Sequence, residues 1–360
     1  MELKNGTPKG TKDIYGQYCE RKKDLENDLR NLFKAYGYRM AETPVTECGK
    51  FYGKDYVNVP QKEIFRLFNN QGEVLSLRSD ENLPIARAAS KYGSKKGNTR
   101  FSYISKIFRN REKGLTEFTK AGVFVTGDSR PDVDAEVIAL AVKTLIEADI
   151  ENFKISIGFA GFNKNDSIKN LKGKEDILTR ACELTRERKT VDGLKRLADI
   201  YRILGYYNIQ DYVDFDFSIE NNNDSYTGII FIGHLDGKKQ IILKGGRYDD
   251  LVARFGRNMP AAGFSTNIER LLSLTDNKKR SRKREHVVIY TNSRRKDAII
   301  IGEYFRYKDL NIELLKNDGC SSKKDYITAA YKKGALSVMF FDRDKTIVAD
   351  LVNSKITNIY

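Results

Sequence analysis

A chain of 360 residues is longer than one small core ordinarily fills, so two domains are expected. No apolar run approaches the roughly 20 residues that span a bilayer, and the opening MELKNGTPKGTKD lacks the apolar centre of a signal peptide, so a cytoplasmic chain without a membrane partner is expected. Four scattered cysteines with no CxxC pair and only two histidines argue against a disulfide framework, a zinc site or a histidine triad, and no metal or cofactor is expected. A net charge of +15 admits electrostatic contact with nucleic acid, but much of the excess is lysine spread along the chain, which makes this the weaker expectation.

The first patterned stretch places Leu25, Leu29, Leu32 and Phe33 on one helical face, with Gly37 as the stop. Tyr38 to Val45 then reads as a strand broken by Pro44. Glu63 to Arg78 holds two β-type runs around Asn-Asn-Gln-Gly, a hairpin signal. The hairpin leads into Ser79-Asp80-Glu81-Asn82, and Pro84 opens a short helix from Ile85 to Lys91. The Asp80 carboxylate at that strand end suits a ligand ammonium group, and suits a helix cap equally well.

Phe101 to Gly127 contains two strand-like runs flanking a charged loop, and Arg109 ends the first. A planar guanidinium there grips a phosphate or carboxylate with two hydrogen bonds. Asp132 to Ile146 is a buried helix with an acidic first turn, and Phe153 to Phe159 alternates as a strand. Residues 165–210 give polar helices with Leu194, Leu197 and Leu204 on one face, and carry no evident chemistry.

Gln240 to Leu243 reads as a strand that breaks at Gly245-Gly246, where a backbone without Cβ turns sharply or approaches a ligand. A short helical pattern with Leu251, Val252 and Phe255 follows, ended by Gly256. Pro260 to Phe264 is a small-residue strand running into a helix with Glu269 and Arg270. That order suits a nucleotide-phosphate site; a glycine turn and a surface arginine account for the same residues. The basic run from Lys278 to Arg284 reads as a solvated linker. Beyond it, strands at Val287–Tyr290, Ile312–Leu315 and Leu336–Phe341 alternate with helices at Ala298–Phe305 and Asp325–Tyr331, the pattern of a small parallel or mixed sheet. Tyr290, Tyr304, Phe305 and Tyr326 are expected in its core or at its boundary rather than stacking bases.

GGRYDDL followed by AAGFSTNIERL resembles the third signature of the histidyl-tRNA synthetase-like class II family. The GTKD opening, long helix and GYRMAETPVTE resemble its dimer-building first signature, and the stretch through Arg109 its second. The resemblance implies an α+β chain. A class II aminoacyl-tRNA synthetase-like antiparallel sheet core with helices would cover residues 1–277, with a helical insertion at about 165–210. A basic linker at 278–285 and a small α/β domain at 286–360, similar to a reduced anticodon-binding domain, would follow.

By the same resemblance, Asp80 takes the place of the residue that meets an amino acid's ammonium group, and Arg109 that of the arginine on the α-phosphate of ATP. Tyr226, Tyr248 and Arg270 complete the implied ligand-binding set. Three positions depart from the pattern. Lys120 and Phe124 stand where glutamine and glutamate are common, and Asn221 falls on an arginine that stabilises charge during amino-acid activation. Neither Arg nor Lys occurs between Asp211 and Phe231, so no local shift of the alignment restores that cation. Losing one such group costs about 3 kcal/mol or more of transition-state stabilisation. Ile232 likewise replaces a glutamate.

No catalytic residue is therefore expected. The run RFGRNMPAAGF resembles the non-catalytic branch of the family, the regulatory subunits of ATP phosphoribosyltransferase in histidine biosynthesis. That resemblance implies a class II-type dimer assembled with the short catalytic subunit as a hetero-octamer, activation of that subunit, and a response to histidine as ligand. The competing expectation is a histidine–tRNA ligase or a tRNA-binding paralogue.

Overall fold

The computed structural model describes residues 6–15, 17–52, 59–94, 97–162, 167–221, 226–237, 240–275, 285–308, 310–317, 319–332, 335–343, 345–351, 353 and 355–359. The first part of the chain forms α1 (Gln17–Ala35), β1 (Arg39–Met40), β2 (Thr46–Cys48), β3 (Arg66–Phe68), β4 (Val74–Leu77) and α2 (Asn82–Tyr92). There follow β5 (Thr99–Phe108), β6 (Glu117–Thr126), α3 (Pro131–Glu147), β7 (Phe153–Phe159), β8 (Lys172–Gly173), α4 (Asp176–Leu184), α5 (Arg188–Tyr206) and β9 (Val213–Asp216). Next come β10 (Ile229–Leu235), β11 (Ile241–Arg247), β12 (Ala261–Asn267) and α6 (Ile268–Leu272). The last part holds β13 (Glu285–Tyr290), α7 (Arg295–Tyr307), β14 (Asn311–Lys316), α8 (Lys323–Lys332), β15 (Ser337–Phe341), β16 (Thr346–Asp350) and β17 (Lys355–Ile359).

Nine strands form the large sheet in the order β1-β5-β6-β12-β11-β10-β7-β9-β8. From β5 through β10 to β7 every neighbouring pair is antiparallel. Its helix-covered face is apolar by alternation: Ala121, Val123 and Val125 of β6 and Phe264 of β12 meet Leu29 and Phe33 of α1 and the almost wholly buried α3. Each fully buried side chain of that size contributes about 1.5–3 kcal/mol. β2, β3 and β4 form a separate small sheet, whose hairpin turns at Gly72 with φ of +78°.

Three local expectations are corrected. β11 does not break at Gly245-Gly246 but runs straight through both to Arg247. The glycines make room for aromatic rings: a Cβ on Gly245 would lie 2.4 Å from Phe231, and one on Gly246 2.5 Å from Tyr226, on the opposite face. The helix read into Leu251–Phe255 is only a 3-10 turn at Ala253–Phe255, closed by Gly256 with φ of +85°. The stretch from Tyr38 to Val45 likewise pairs as a strand only at Arg39–Met40.

The second sheet has the order β14-β13-β15-β16-β17, parallel through its first three strands and antiparallel in its last two. The sequence pattern missed β16 and β17. The basic run from Lys278 to Arg284 lies outside the described residues, and Glu285, placed in the linker from sequence, opens β13.

Buried ion pairs fasten the two sheets. Arg100 of β5 holds Glu136 of α3 at 3.1 Å and Glu313 of β14 at 3.4 Å, and donates to the Leu314 carbonyl. Glu303 of α7 pairs with Lys143 of α3 and with Arg306, and accepts from the Tyr36 hydroxyl at 3.0 Å. Asp132 of α3 takes Arg295 at 2.8 Å and Lys316 at 3.4 Å. One apolar cluster accordingly runs from α1 and α3 into Val288, Ile299 and Leu314.

Candidate ligand pocket on the open face of the large sheet

Strand register decides which side chains meet on the face away from α1 and α3. Lys120, Gly122 and Phe124 of β6 align with Ser105, Tyr103 and Phe101 of β5, and with Asn267, Ser265 and Gly263 of β12. Gly246 and Lys244 of β11 extend the rows at Gly263 and Ser265. The floor is thus glycine and serine, and the rings of Tyr103, Phe124, Tyr226 and Tyr248 cluster over it with Ile85 and Ile230. Phe124 stacks on Tyr248 with centroids 6.2 Å apart, and Tyr226 lies 4.8 Å from Tyr248. The Tyr248 hydroxyl reaches that of Tyr226 at 3.3 Å.

Asp80, between β4 and α2, points its carboxylate at this face. Oδ2 takes Lys120 Nζ at 2.8 Å and Arg109 Nη2 at 3.4 Å, while Oδ1 accepts from the Asn82 backbone at 2.9 Å. Asp80 thus accepts a backbone amide at the start of α2, one residue ahead of the N-cap Glu81, while its other oxygen meets two cations of this chain. Burial would push the Asp80 carboxyl up, but Lys120 and then Arg109 outweigh it and hold it below the usual carboxylate range. Arg109 spends its Nε on the Ser79 carbonyl at 3.0 Å. Beside it Glu81, fully buried, pairs with Arg78 at 3.0 Å and accepts from Thr43; burial still wins and pushes its carboxyl up to about 7.

Asn221 has a mechanical role. Its Nδ2 donates to the Tyr226 carbonyl at 2.9 Å and its Oδ1 accepts from the Tyr226 amide at 3.1 Å. The Arg270 guanidinium lies against the Gln240 side-chain amide, and its backbone amide is capped by Asn267. The structure thus gathers Asp80, Arg109, Lys120, Phe124, Tyr226 and Tyr248, hangs Asn221 on Tyr226, and gives Arg270 a different neighbour.

Sequence reading missed Lys244, whose ammonium lies 5.3 Å from the Tyr226 ring centroid. Its signal was present, a single cation interrupting the apolar run of β11 before two glycines. Arg247 was also missed. Its guanidinium is buried against Asp134 at 2.7 Å, Asp249 at 3.1 Å and the Asp128 carbonyl at 2.6 Å. Among the described residues no group of three or more His, Cys, Asp or Glu is placed to hold a metal ion, and no helix is long and apolar enough to cross a membrane.

An antiparallel sheet backed by helices, with an acid and an arginine set over glycine-floored strands, defines a class II aminoacyl-tRNA synthetase-like core followed by a smaller sheet domain. The histidyl-tRNA synthetase family model matches residues 10–165 and 163–271. The ATP phosphoribosyltransferase regulatory subunit of Ruminiclostridium cellulolyticum is 32% identical, over 97% of this chain and 95% of its own length. That of Acetivibrio thermocellus is 33% identical over 88% of each. Among solved structures, an ATP phosphoribosyltransferase regulatory subunit/histidyl-tRNA synthetase from Bacillus halodurans superposes with a TM-score of 0.70 at 24% identity, covering 95% of this chain and 99% of that one. Histidyl-tRNA synthetase from Nostoc sp. PCC 7120 shares the fold at a TM-score of 0.64 and 18% identity, over 99% of this chain and 97% of its own. The chain belongs to the histidyl-tRNA synthetase-like family, in its branch of ATP phosphoribosyltransferase regulatory subunits.

Proposed function

We propose that this chain is a non-catalytic subunit that activates the short catalytic subunit of ATP phosphoribosyltransferase and transmits feedback inhibition by histidine. The observation that carries the reading is the pairing of Asp80 with Lys120. A synthetase pocket needs that carboxylate open for a substrate ammonium, and here an internal ammonium already occupies it at 2.8 Å. Displacing Lys120 would strand a partly buried cation, which costs more than a ligand ammonium regains. Asn221 supports the same conclusion, because a neutral amide bonded to the Tyr226 backbone supplies no charge to a developing transition state.

On this reading the phosphoribosyl chemistry lies wholly in the partner, and the chain works in the cytoplasm as a class II-type dimer within a hetero-octamer. Feedback requires histidine to bind two states of that assembly with different affinity. Mixing the purified chain with the short catalytic subunit should raise its turnover, and histidine should lower it again. An unchanged rate on mixing, or pyrophosphate exchange into ATP by the chain alone with histidine, would favour the ligase reading instead.

A further inference from the structure

We propose that the open-face pocket is an oxyanion site, in which Lys244 and Lys120 hold a phosphate-type dianion beside Arg109. The inference deepens the reading above, since it replaces the amino acid expected in such a pocket by a ligand of opposite charge.

Two cations, Arg109 and Lys120, pair with a single carboxylate, Asp80, and a third, Lys244, lies close enough to Lys120 to feel its charge. The other acids nearby are spent: Glu81 on Arg78, and Glu63 on Arg111. Among the described residues Lys244 has no hydrogen-bond or carboxylate partner; its one described contact is the face of Tyr226. Its cross-strand neighbours are Ile232 on β10 and Ser265 on β12, neither of which carries charge.

Register brings the two lysines to one face. Lys244 aligns through Ser265 with Gly122, two residues from Lys120 on the same strand. Two strand spacings and two residues along β6, together roughly 12 Å, separate their backbones, a gap that two four-carbon side chains close on one oxyanion between them. Burial and then the nearby Lys120 charge hold the Lys244 ammonium below its usual range, and an anion between the two lysines would relieve their mutual repulsion. The surplus of two positive charges matches a phosphate monoester, which carries about −2 near neutral pH. A monocarboxylate leaves one charge uncompensated, and a zwitterionic amino acid brings an ammonium into the same repulsion.

Calorimetric titration of the full chain with inorganic phosphate, ATP and histidine tests this. Phosphate should bind saturably at one site. Lys244→Met should weaken it by about 10-fold or more, the loss expected for one charge-assisted contact, and Lys244→Arg should retain it. Phosphate displaced by ATP would identify a nucleotide as the source of the oxyanion; ATP leaving phosphate in place would identify a smaller phosphate compound. Histidine should not displace it. Absence of saturable phosphate binding, or equal binding by wild type and a folded Lys244→Met chain, would overturn the site. Neither result bears on activation of the catalytic subunit, so the two proposals fail separately.

Discussion

The Arg247 guanidinium and the Asp134 carboxylate meet at 2.7 Å in the interior, with side chains 2% and 0% exposed. Asp134 also holds Arg196 from α5, so a single carboxylate ties β11, α3 and α5 together. Arg247→Met should destabilise the chain by about 3–5 kcal/mol, the usual cost of removing one partner of a buried pair. Urea unfolding followed by circular dichroism reads this directly; a loss below about 1 kcal/mol would mean that the pair is dispensable.

Lys120→Gln puts the amide common in synthetases back against Asp80. The depressed Asp80 pKa contributes stability that is present above the unfolded value of 3.8 and is lost as pH falls through the folded value. Without Lys120 that acid-side loss should shrink, visible as a flatter stability curve below pH ~4. Pyrophosphate exchange with histidine should stay at background, since Asn221 still supplies no cation.

Glu81 runs the opposite way. Its folded pKa of about 7 lies above the ordinary glutamate value of 4.5, so between those values the folded chain holds a proton that the unfolded chain has released. Stability from this group is complete below pH 4.5 and falls as pH rises to about 7, by roughly 3 kcal/mol over the interval. Glu81→Gln should remove that slope, whatever it does to absolute stability through Arg78. Thermal melts at pH 5 and 8 compare the slopes.

Glu303→Gln tests the junction of the two sheets. Burial pushes this carboxyl up, but Lys143 and Arg306 hold it below the usual range. The substitution leaves both cations without their carboxylate and should cost about 3 kcal/mol or more. Hydrogen exchange should accelerate first along α7, while the pocket strands β6 and β12 keep their protection. Equal acceleration in both would show that the sheets do not open separately.

Much of this architecture was readable because burial writes periodicity. The spacing of Leu25, Leu29, Leu32 and Phe33 gave α1, and the small-residue run at Pro260–Phe264 gave β12 with α6 behind it. Gly245-Gly246 was misread because a glycine that admits a neighbouring ring looks, in one dimension, like one that bends the chain. The importance of Lys120 was legible as a departure from a pattern, but its partner was not, since Asp80 lies 40 residues away and meets it only through folding. Nothing in GGRYDDL singled out Arg247. Only the fold supplies the Asp134 and Asp128 oxygens that let it be buried. β16 and β17 escaped because they pair after an already complete α/β pattern.

Arg100, Glu303 and Asp132 leave the smaller sheet little slack against the larger one. α3 carries Glu136, Lys143 and Asp132, so a displacement of α7 or β14 would load the helix that backs the pocket strands. A lever of that stiffness lets an event at one end of the molecule be felt at the other without either end melting.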